Sequence, residues 1–256
     1  MASPAVAGRF EGANSTTVTT HSITFSSVSA NDLLLLWFAA STTTTLSSSG
    51  WTFIIGGATA GATHLGYKKA AGGETLVSFT AGTTCRSAYL GYRITGNIDP
   101  ATQLPELSGI NAATGANPDP LSLSPTGGSK DYLWLAIFRQ NAVVTNDDAW
   151  VTAIPTNYGN KHASSAGTAG SPAVAAADRQ LTAASEDPGT FTSTSTTTWQ
   201  AYTMAIHPAV SAPAFIPGNP TVVRQAVKRA AVFCMGEKWA RKGKLWIPSP
   251  DRPLMV

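Results

Sequence analysis

Short runs of apolar, aromatic and β-branched residues recur through the first 208 positions, separated by clusters of Gly, Asn, Asp, Ser and Pro. Runs of this kind indicate strands, because such side chains fit a pleated surface and the intervening residues favour turns. No segment in this part combines a sustained helical apolar period with helix caps. The predicted strands are residues 22–28, 33–40, 51–55, 64–69, 75–80, 87–95, 121–124, 132–139, 150–154, 174–181, 190–194 and 199–207. Many short strands without intervening helices predict an all-β sandwich or barrel.

Two of the predicted strands contain runs, 33–40 and 132–138, that are apolar at consecutive positions rather than alternate ones. An antiparallel strand with one wet face should alternate, so both faces of these strands should be covered. One face should carry Leu33, Leu35 and Trp37, and the other Leu34, Leu36 and Phe38. The second face is covered either by a long loop of the same chain or by a neighbouring subunit.

A weak internal repeat links the two strands. Asp32 precedes the first strand and Asp131 the second, and a tryptophan follows each aspartate after the same interval, at Trp51 and Trp150. The second half is longer, and its extra residues are expected within the Gly/Ala/Ser-rich stretch 158–173. Two related halves predict a jelly-roll-like antiparallel β-sandwich with both tryptophans as buried anchors.

Net charge divides the chain. Residues 1–208 carry −3 and residues 209–256 carry +6, and a proline-punctuated stretch follows Pro208. Charged residues make up 12% of the chain, against about 25% in an average soluble domain, and mean hydropathy is near zero. A disordered chain combines low hydrophobicity with high net charge, so this composition predicts a chain that buries a core. The domains expected are a sandwich over 1–208 and a basic tail over 209–256.

The tail predicts one short helix, in which Asn219 is the cap, Pro220 is the first residue and Gly236 is the stop. Beyond the helix, cations alternate with bulky apolar side chains. The candidate partner-binding residues are Arg224, Lys228, Arg229, Trp239, Arg241, Lys242, Trp246 and Ile247. Docking on a neighbouring subunit is the favoured interpretation, ahead of simple solvation. Binding of nucleic acid through phosphates ranks last, because cations among prolines and tryptophans suit an anchor better.

Sequence motifs of catalysis are missing. The histidines His21, His64, His162 and His207 are scattered, and neither HExxH nor GxSxG occurs. The Gly127-Gly128-Ser129-Lys130 run lacks the phosphate-loop spacing and predicts a turn. Two other polar groups, Asn146-Asp147-Asp148 and Glu186-Asp187, predict surface turns rather than a calcium loop or a glycosidase pair. We therefore expect no enzymatic activity, no cofactor and no metal site.

The cysteines and the N-terminus bear on the cellular compartment. Cys85 and Cys234 form neither a disulfide framework nor a zinc pattern, which predicts buried thiols. The longest apolar run, 33–40, is much shorter than the ~20 residues that cross a bilayer. No basic segment precedes an apolar stretch at the N-terminus, so no signal peptide is predicted. These features favour synthesis in a reducing cytoplasm and no membrane partner.

Several motifs, in order, resemble a module of the minor structural proteins of tailed bacteriophages and prophages. They are Asn31-Asp32-Leu33-Leu34-Leu35-Leu36, Gly50-Trp51, Tyr67-Lys68-Lys69-Ala70, Glu74, Tyr92-Arg93-Ile94-Thr95-Gly96 and the closing strand 199–208. The resemblance spans roughly residues 10–208. It implies a jelly-roll or concanavalin-like sandwich in a virion, as a capsid decoration, neck, tail or fibre component. Other virion proteins and copies of the chain are then its expected partners.

Two further functions remain open on this fold. A carbohydrate-binding module that recognises host-surface glycans would need exposed aromatic side chains and a cleft between loops. An esterase or glycanase would need catalytic groups assembled from distant loops. The virion interpretation is preferred because it accounts for the broad apolar strands and for the basic tail together.

Overall fold

The computed structural model describes residues 3–59, 61–142, 148–168, 170–209, 239–242 and 245–248. The chain divides into two compact units, Met1–Val210 and Ser211–Val256. Within its described residues, the first unit consists of antiparallel strands and contains no helix. The predicted all-β antiparallel sandwich is confirmed. The helix predicted between Asn219 and Gly236 lies outside the described residues.

The strands of the first unit follow one another in the order β1 Ala5–Thr24, β2 Leu33–Thr44, β3 Leu46–Ser47, β4 Thr52–Ile55, β5 Gly61–Lys69, β6 Leu76–Thr95, β7 Glu106–Leu107, β8 Asn111–Gly115, β9 Lys130–Ala142, β10 Val151–Ala153, β11 Gly159–Ser165, β12 Ser171–Ala183, β13 Thr192–Ser193 and β14 Thr197–Ile206. The second unit contains β15 Trp239–Lys242 and β16 Leu245–Pro248, which pair with each other.

Each half of the first unit forms its own sheet. Sheet 1 has the order β1-β6-β2-β5-β4, with β3 added beside β6, and sheet 2 has the order β11-β12-β9-β14-β7, with β8 also beside β14. In sheet 1, β1 pairs with β6, and β2 pairs with β6 and β5. In sheet 2, β7 and β8 pair with β14, and β9 pairs with β14 and β12. This nested pairing is that of a rolled ribbon. Its occurrence in both halves supports the predicted repeat.

The inner core lies between the two sheets. Leu33, Leu35 and Trp37 of β2 share one buried cluster with Leu133 and Tyr202 of sheet 2. Trp37 meets Tyr202 edge to face with ring centroids 5.2 Å apart. Aromatic pairs of this geometry stabilise a core beyond the area they bury. The inner faces of β2 and β9 therefore hold the two halves together.

The outer faces of the central strands are also buried, and residues of the same half cover them. On sheet 1, Leu36 and Phe38 pack under Phe25, Trp51 and Phe79. On sheet 2, the outer face of β9 is covered by a separate cluster that includes Trp150 and Phe191. The covering comes from the same chain, as one of the two predicted alternatives has it, but it is not a long loop alone, since Phe79 lies on β6. A subunit interface on these strands is wrong, because their side chains are already removed from solvent within one chain.

The two anchoring tryptophans are buried as predicted, Trp51 to 8% exposure and Trp150 to 2%. The strands that follow them differ, however. β4 after Trp51 pairs with β5, whereas β10 after Trp150 pairs with β13. The place that β4 takes beside β5 is filled in sheet 2 by β11.

Three further details differ from the sequence prediction. The stretch 158–173, predicted as an insertion, forms β11 and the beginning of β12, because residues of β11 pair along Ala173–Asp178. The N-terminal residues form most of a long edge strand, β1, whose many half-exposed polar side chains gave no apolar period. The strand predicted at 121–124 is only an isolated bridge, Leu123 to Glu186.

Candidate functional site

A polar groove lies where the edge strands of the two sheets meet. β1 is the outermost strand of sheet 1 and β11 of sheet 2. The groove between them has a volume of about 360 Å³. Its lining consists of Glu11, Gly12, Ala13, Asp148, Lys161, His162, Ala163 and Ser164, and we call it the seam groove.

His162 is the most unusual group in the seam groove. Its side chain is only 5% exposed, and its ring meets the ring of Tyr92 edge to face at 5.2 Å. Nε2 lies 2.9 Å from Glu11 Oε2, but the two groups are not aligned for a hydrogen bond, and Nδ1 has no partner among the described residues. Burial, together with the nearby Arg9 guanidinium, lowers the pKa of His162 to about 4. The ring is therefore neutral near pH 7 and retains one free donor and one free acceptor.

A polar cluster next to the seam groove, in contact with His162 through Tyr92, joins the two sheets. Arg9 of β1 donates to the buried carboxylate of Asp178 on β12, and Asn160 Nδ2 donates to the other oxygen of Asp178 at 2.9 Å. The hydroxyl of Tyr92 is buried nearby without a hydrogen-bond partner among the described residues. Burial, chiefly, and the Asp178 carboxylate raise the pKa of Tyr92, so its hydroxyl stays protonated. This cluster fixes the position of β1 against sheet 2.

Most polar side chains on the rim of the groove form hydrogen bonds or ion pairs within the chain. Lys161 Nζ lies 3.3 Å from Asp148 Oδ2 and donates to the backbone oxygens of Asp148 and Val151. Ser164 Oγ donates to the Gly12 oxygen at 2.9 Å. Glu11 remains as an exposed carboxylate beside the unpartnered imidazole. A neutral imidazole next to a carboxylate can bind a hydroxyl group, which donates to one and accepts from the other.

A second histidine forms a cluster that resembles a cysteine nucleophile with its base. His21 Nδ1 lies 3.0 Å from Asn14 Oδ1 and 2.8 Å from Ser87 Oγ, and Nε2 lies 3.5 Å from Cys85 Sγ. Burial raises the pKa of Cys85 and lowers the pKa of His21. A reactive cysteine needs the opposite shifts and access to solvent. Cys85 is fully buried, so this cluster belongs to the outer core of sheet 1.

The other two histidines hold loops in place. His207 Nε2 lies 2.6 Å from Glu106 Oε1, and Glu106 also accepts from the backbone and hydroxyl of Thr126. His64 accepts from the Gly57 N–H at 3.0 Å, and burial lowers its pKa to about 4. In the part of the chain that the structure describes, no three His, Cys, Asp or Glu side chains are placed to hold a metal ion.

The predicted partner-binding residues fall partly within the described chain. Trp239, Arg241 and Lys242 lie on β15, and Trp246 and Ile247 lie on β16. The register sets Arg241 opposite Trp246 and Ala240 opposite Ile247. Arg224, Lys228 and Arg229 lie outside the described residues.

Sequence reasoning missed this hairpin, and it also missed the seam groove. The pair Gly243-Lys244 between two strand-like runs is a typical hairpin signal that could have revealed the pairing. No local signal marks the groove, since Glu11 and His162 lie far apart in sequence.

Comparison of the chain with protein-family models, with curated proteins and with solved structures finds no match. Among the described residues, no helix combines the length and the apolar character needed to cross a membrane. The seam groove and the basic hairpin are thus the two features from which a function can be argued.

Proposed function

We propose that this chain is a non-enzymatic structural component of a bacteriophage virion, held in the particle by subunit contacts and by its C-terminal segment. Within the virion, its place is that of a capsid decoration, neck, tail or fibre protein, and the observations favour none of these four over the others. The observation that carries the proposal is the division of the chain into a self-covered sandwich and a separate basic unit. Synthesis in the host bacterial cytoplasm is part of the same proposal.

The first half of the argument is the sandwich. Its three apolar clusters are completed by residues of one chain, so its sheets need no partner to cover their faces. Its motifs over roughly residues 10–208 resemble those of minor structural proteins of tailed phages. A rigid sandwich of this kind suits a fixed place in a large assembly.

The second half of the argument is the tail. A lone two-stranded hairpin is at best marginally stable in water, so β15 and β16 are expected to gain stability from a partner. The +6 charge of residues 209–256 contrasts with −3 on residues 1–208, which favours an acidic surface as that partner. Trp239 and Trp246 would supply the apolar contacts of such an anchor.

Particle incorporation tests this proposal. Purified particles from the host that carries the gene are analysed by mass spectrometry, with the full chain, a chain ending at residue 210 and the double variant Trp239→Ala/Trp246→Ala. We expect the full chain in particles and both variants to be strongly depleted, while the truncated chain keeps its β-sheet circular dichroism. Arg252→Ala, in the same tail but outside the hairpin, is the matched control and should incorporate normally. Absence of the full chain from particles would disprove the virion role, and normal incorporation of the truncated chain would disprove the anchor.

A second candidate function, carbohydrate binding, is favoured by the unpartnered His162 beside Glu11 in the seam groove. Sugar hydroxyls both donate and accept, as this pair requires. A glycan array on the full chain, followed by calorimetric titration of any bound glycan, tests it. Binding should be lost in His162→Ala and in Glu11→Gln, and retained in Asp131→Asn, an exposed carboxylate outside the groove. If no glycan binds, or if all three variants bind alike, the groove is not a sugar site.

A further inference from the structure

An exposed apolar pair stands out on sheet 2, beside the edge opposite the seam groove. Ile110 is 50% exposed and Leu121 is 41% exposed, in a sandwich that otherwise buries most large apolar side chains. Their segments run close together, since Leu121 Cδ1 lies 3.7 Å from where a Cβ would stand on Gly109, the residue before Ile110. Thr203 of β14 holds both segments, donating to the Leu121 oxygen at 2.6 Å and accepting from the Ser108 N–H at 2.8 Å. Ile110 and Leu121 lie outside the named strands, and these hydrogen bonds hold their segments against β14.

Two carboxylates flank this apolar pair. Asn111 Nδ2 donates to the backbone oxygen of Asp119 at 2.7 Å, which brings residue 119 close to Asn111, the residue after Ile110. The bridge between Leu123 and Glu186 brings Asp187 to the same place. Partial burial and the Asp187 charge raise the pKa of Asp119, as expected of two close carboxylates. Among the described residues, neither Asp119 nor Asp187 forms an ion pair with a cation.

The strand beside these residues has an open edge. β8, Asn111–Gly115, pairs with β14 on one side and with no other described strand. Its residues 112–114 are exposed. Unpaired edge groups can receive a strand from another molecule, and flanking side chains then decide which strand is accepted.

The partner that fits this surface is extended, basic and aromatic. An acidic pair favours a cation, and exposed Ile and Leu side chains favour bulky apolar contacts. The chain itself contains such a segment in β15 and β16, where Arg241 stands opposite Trp246 and Lys242 opposite Leu245. The charges also match, because the sandwich is net negative and the tail is net positive.

We propose that the patch formed by Ile110, Asp119, Leu121 and Asp187, the edge patch, binds the basic hairpin of a second copy of this chain. The proposal rests on the anchoring role of the tail proposed above and names its acceptor. Each copy then carries both an acceptor and an inserted segment. The contact is heterologous and repeats from copy to copy, closing into a ring or extending as a row.

A charge-swap experiment on the full chain tests this contact. The patch-reversed protein carries Asp119→Lys and Asp187→Lys, and the tail-reversed protein carries Arg241→Glu and Lys242→Glu. Self-association is measured by sedimentation velocity over a range of concentrations. We expect the unmodified chain to associate, and each reversed protein alone to associate roughly tenfold or more weakly, because like charges then face each other. A mixture of the two reversed proteins should recover association, since the basic tail of one meets the acidic patch of the other.

Controls separate the contact from general effects of charge and folding. Asp131→Lys changes an exposed carboxylate elsewhere on sheet 2 and should leave association unchanged. If the lysine variants lose their circular dichroism signal, Ile110→Ser/Leu121→Ser replaces them, and it should weaken association in the same way.

Three results would overturn the proposal: an unmodified chain that stays monomeric, a reversed protein that associates normally, or a mixture that fails to recover. If one of these results is obtained but the truncated chain still fails to enter particles, the anchoring role of the tail stands. The acceptor would then be another virion protein.

Discussion

Phe38 gives the most direct test of how the outer face of sheet 1 is covered. Its side chain is fully buried on the central strand β2, stacked on Tyr89 at 5.8 Å and edge to face with His21 and His64. Truncating such a ring removes its buried area and leaves a cavity, so Phe38→Ala should cost about 3–5 kcal/mol. In a domain of this size that loss lowers the melting temperature by about 6–20 °C. Urea unfolding of the full chain, followed by tryptophan fluorescence, measures the change.

The matched control is Leu76→Ala, which truncates a side chain that is 64% exposed and should cost less than about 0.5 kcal/mol. The difference between the Phe38→Ala and unmodified proteins is compared at two protein concentrations. It should be the same at both, because residues of the same chain cover Phe38. A cost below about 1 kcal/mol, or a difference that grows with concentration, would refute the assignment and return this face to a subunit interface.

Three further predictions concern titration, backbone and charge. Because the pKa of His162 is about 4 in the fold and 6.5 when unfolded, stability should be full above about pH 6.5 and fall towards pH 4. Between pH 6.5 and pH 4, His162→Gln should lose about 2–3 kcal/mol less unfolding free energy than the unmodified chain, as measured by urea unfolding at each pH. The same pH dependence in both proteins would contradict this. Gly96→Ala should lower the free energy of unfolding more than Gly128→Ala. Both glycines have positive φ, but only at Gly96 would an added Cβ lie 2.5 Å from a backbone oxygen, that of Ser3. Equal melting temperatures of the two variants would disprove this. Arg9→Gln and Asp178→Asn should show a coupling of about 1–3 kcal/mol in a double-mutant cycle, and additive costs would disprove the tie between the sheets.

The central strands could be predicted because the information is local. Eight consecutive buried residues in β2, Leu33 to Ala40, have few structural solutions other than a strand covered on both faces. The same holds for β9, whose pattern repeats that of β2. Trp51 and Trp150 could be predicted as buried anchors for a similar reason. Each follows the start of a long apolar strand by the same number of residues, which indicates the same role in the two halves.

The edges could not be predicted, because their structure depends on distant partners. Residues 5–24 are mostly polar or small, and they form a strand because they pair along β6. β11 likewise exists through its pairing with β12. The seam groove forms only where these two edges meet, so no short motif can encode it. The hairpin of β15 and β16 is different, because a local hairpin signal, Gly243-Lys244, is present in the sequence.

The repeat explains where this molecule can interact. Each half covers the outer face of its own central strand, with Phe79 in sheet 1 and Phe191 in sheet 2 among the covering residues. Each half leaves its inner face, including Trp37, to be covered by the other half. Neither half can bury its apolar surface alone. When the two halves pack together, the sheet edges remain, and an edge strand can pair with another molecule. The seam groove and the edge patch lie at opposite edges of sheet 2, so one could bind a glycan while the other binds a neighbouring copy.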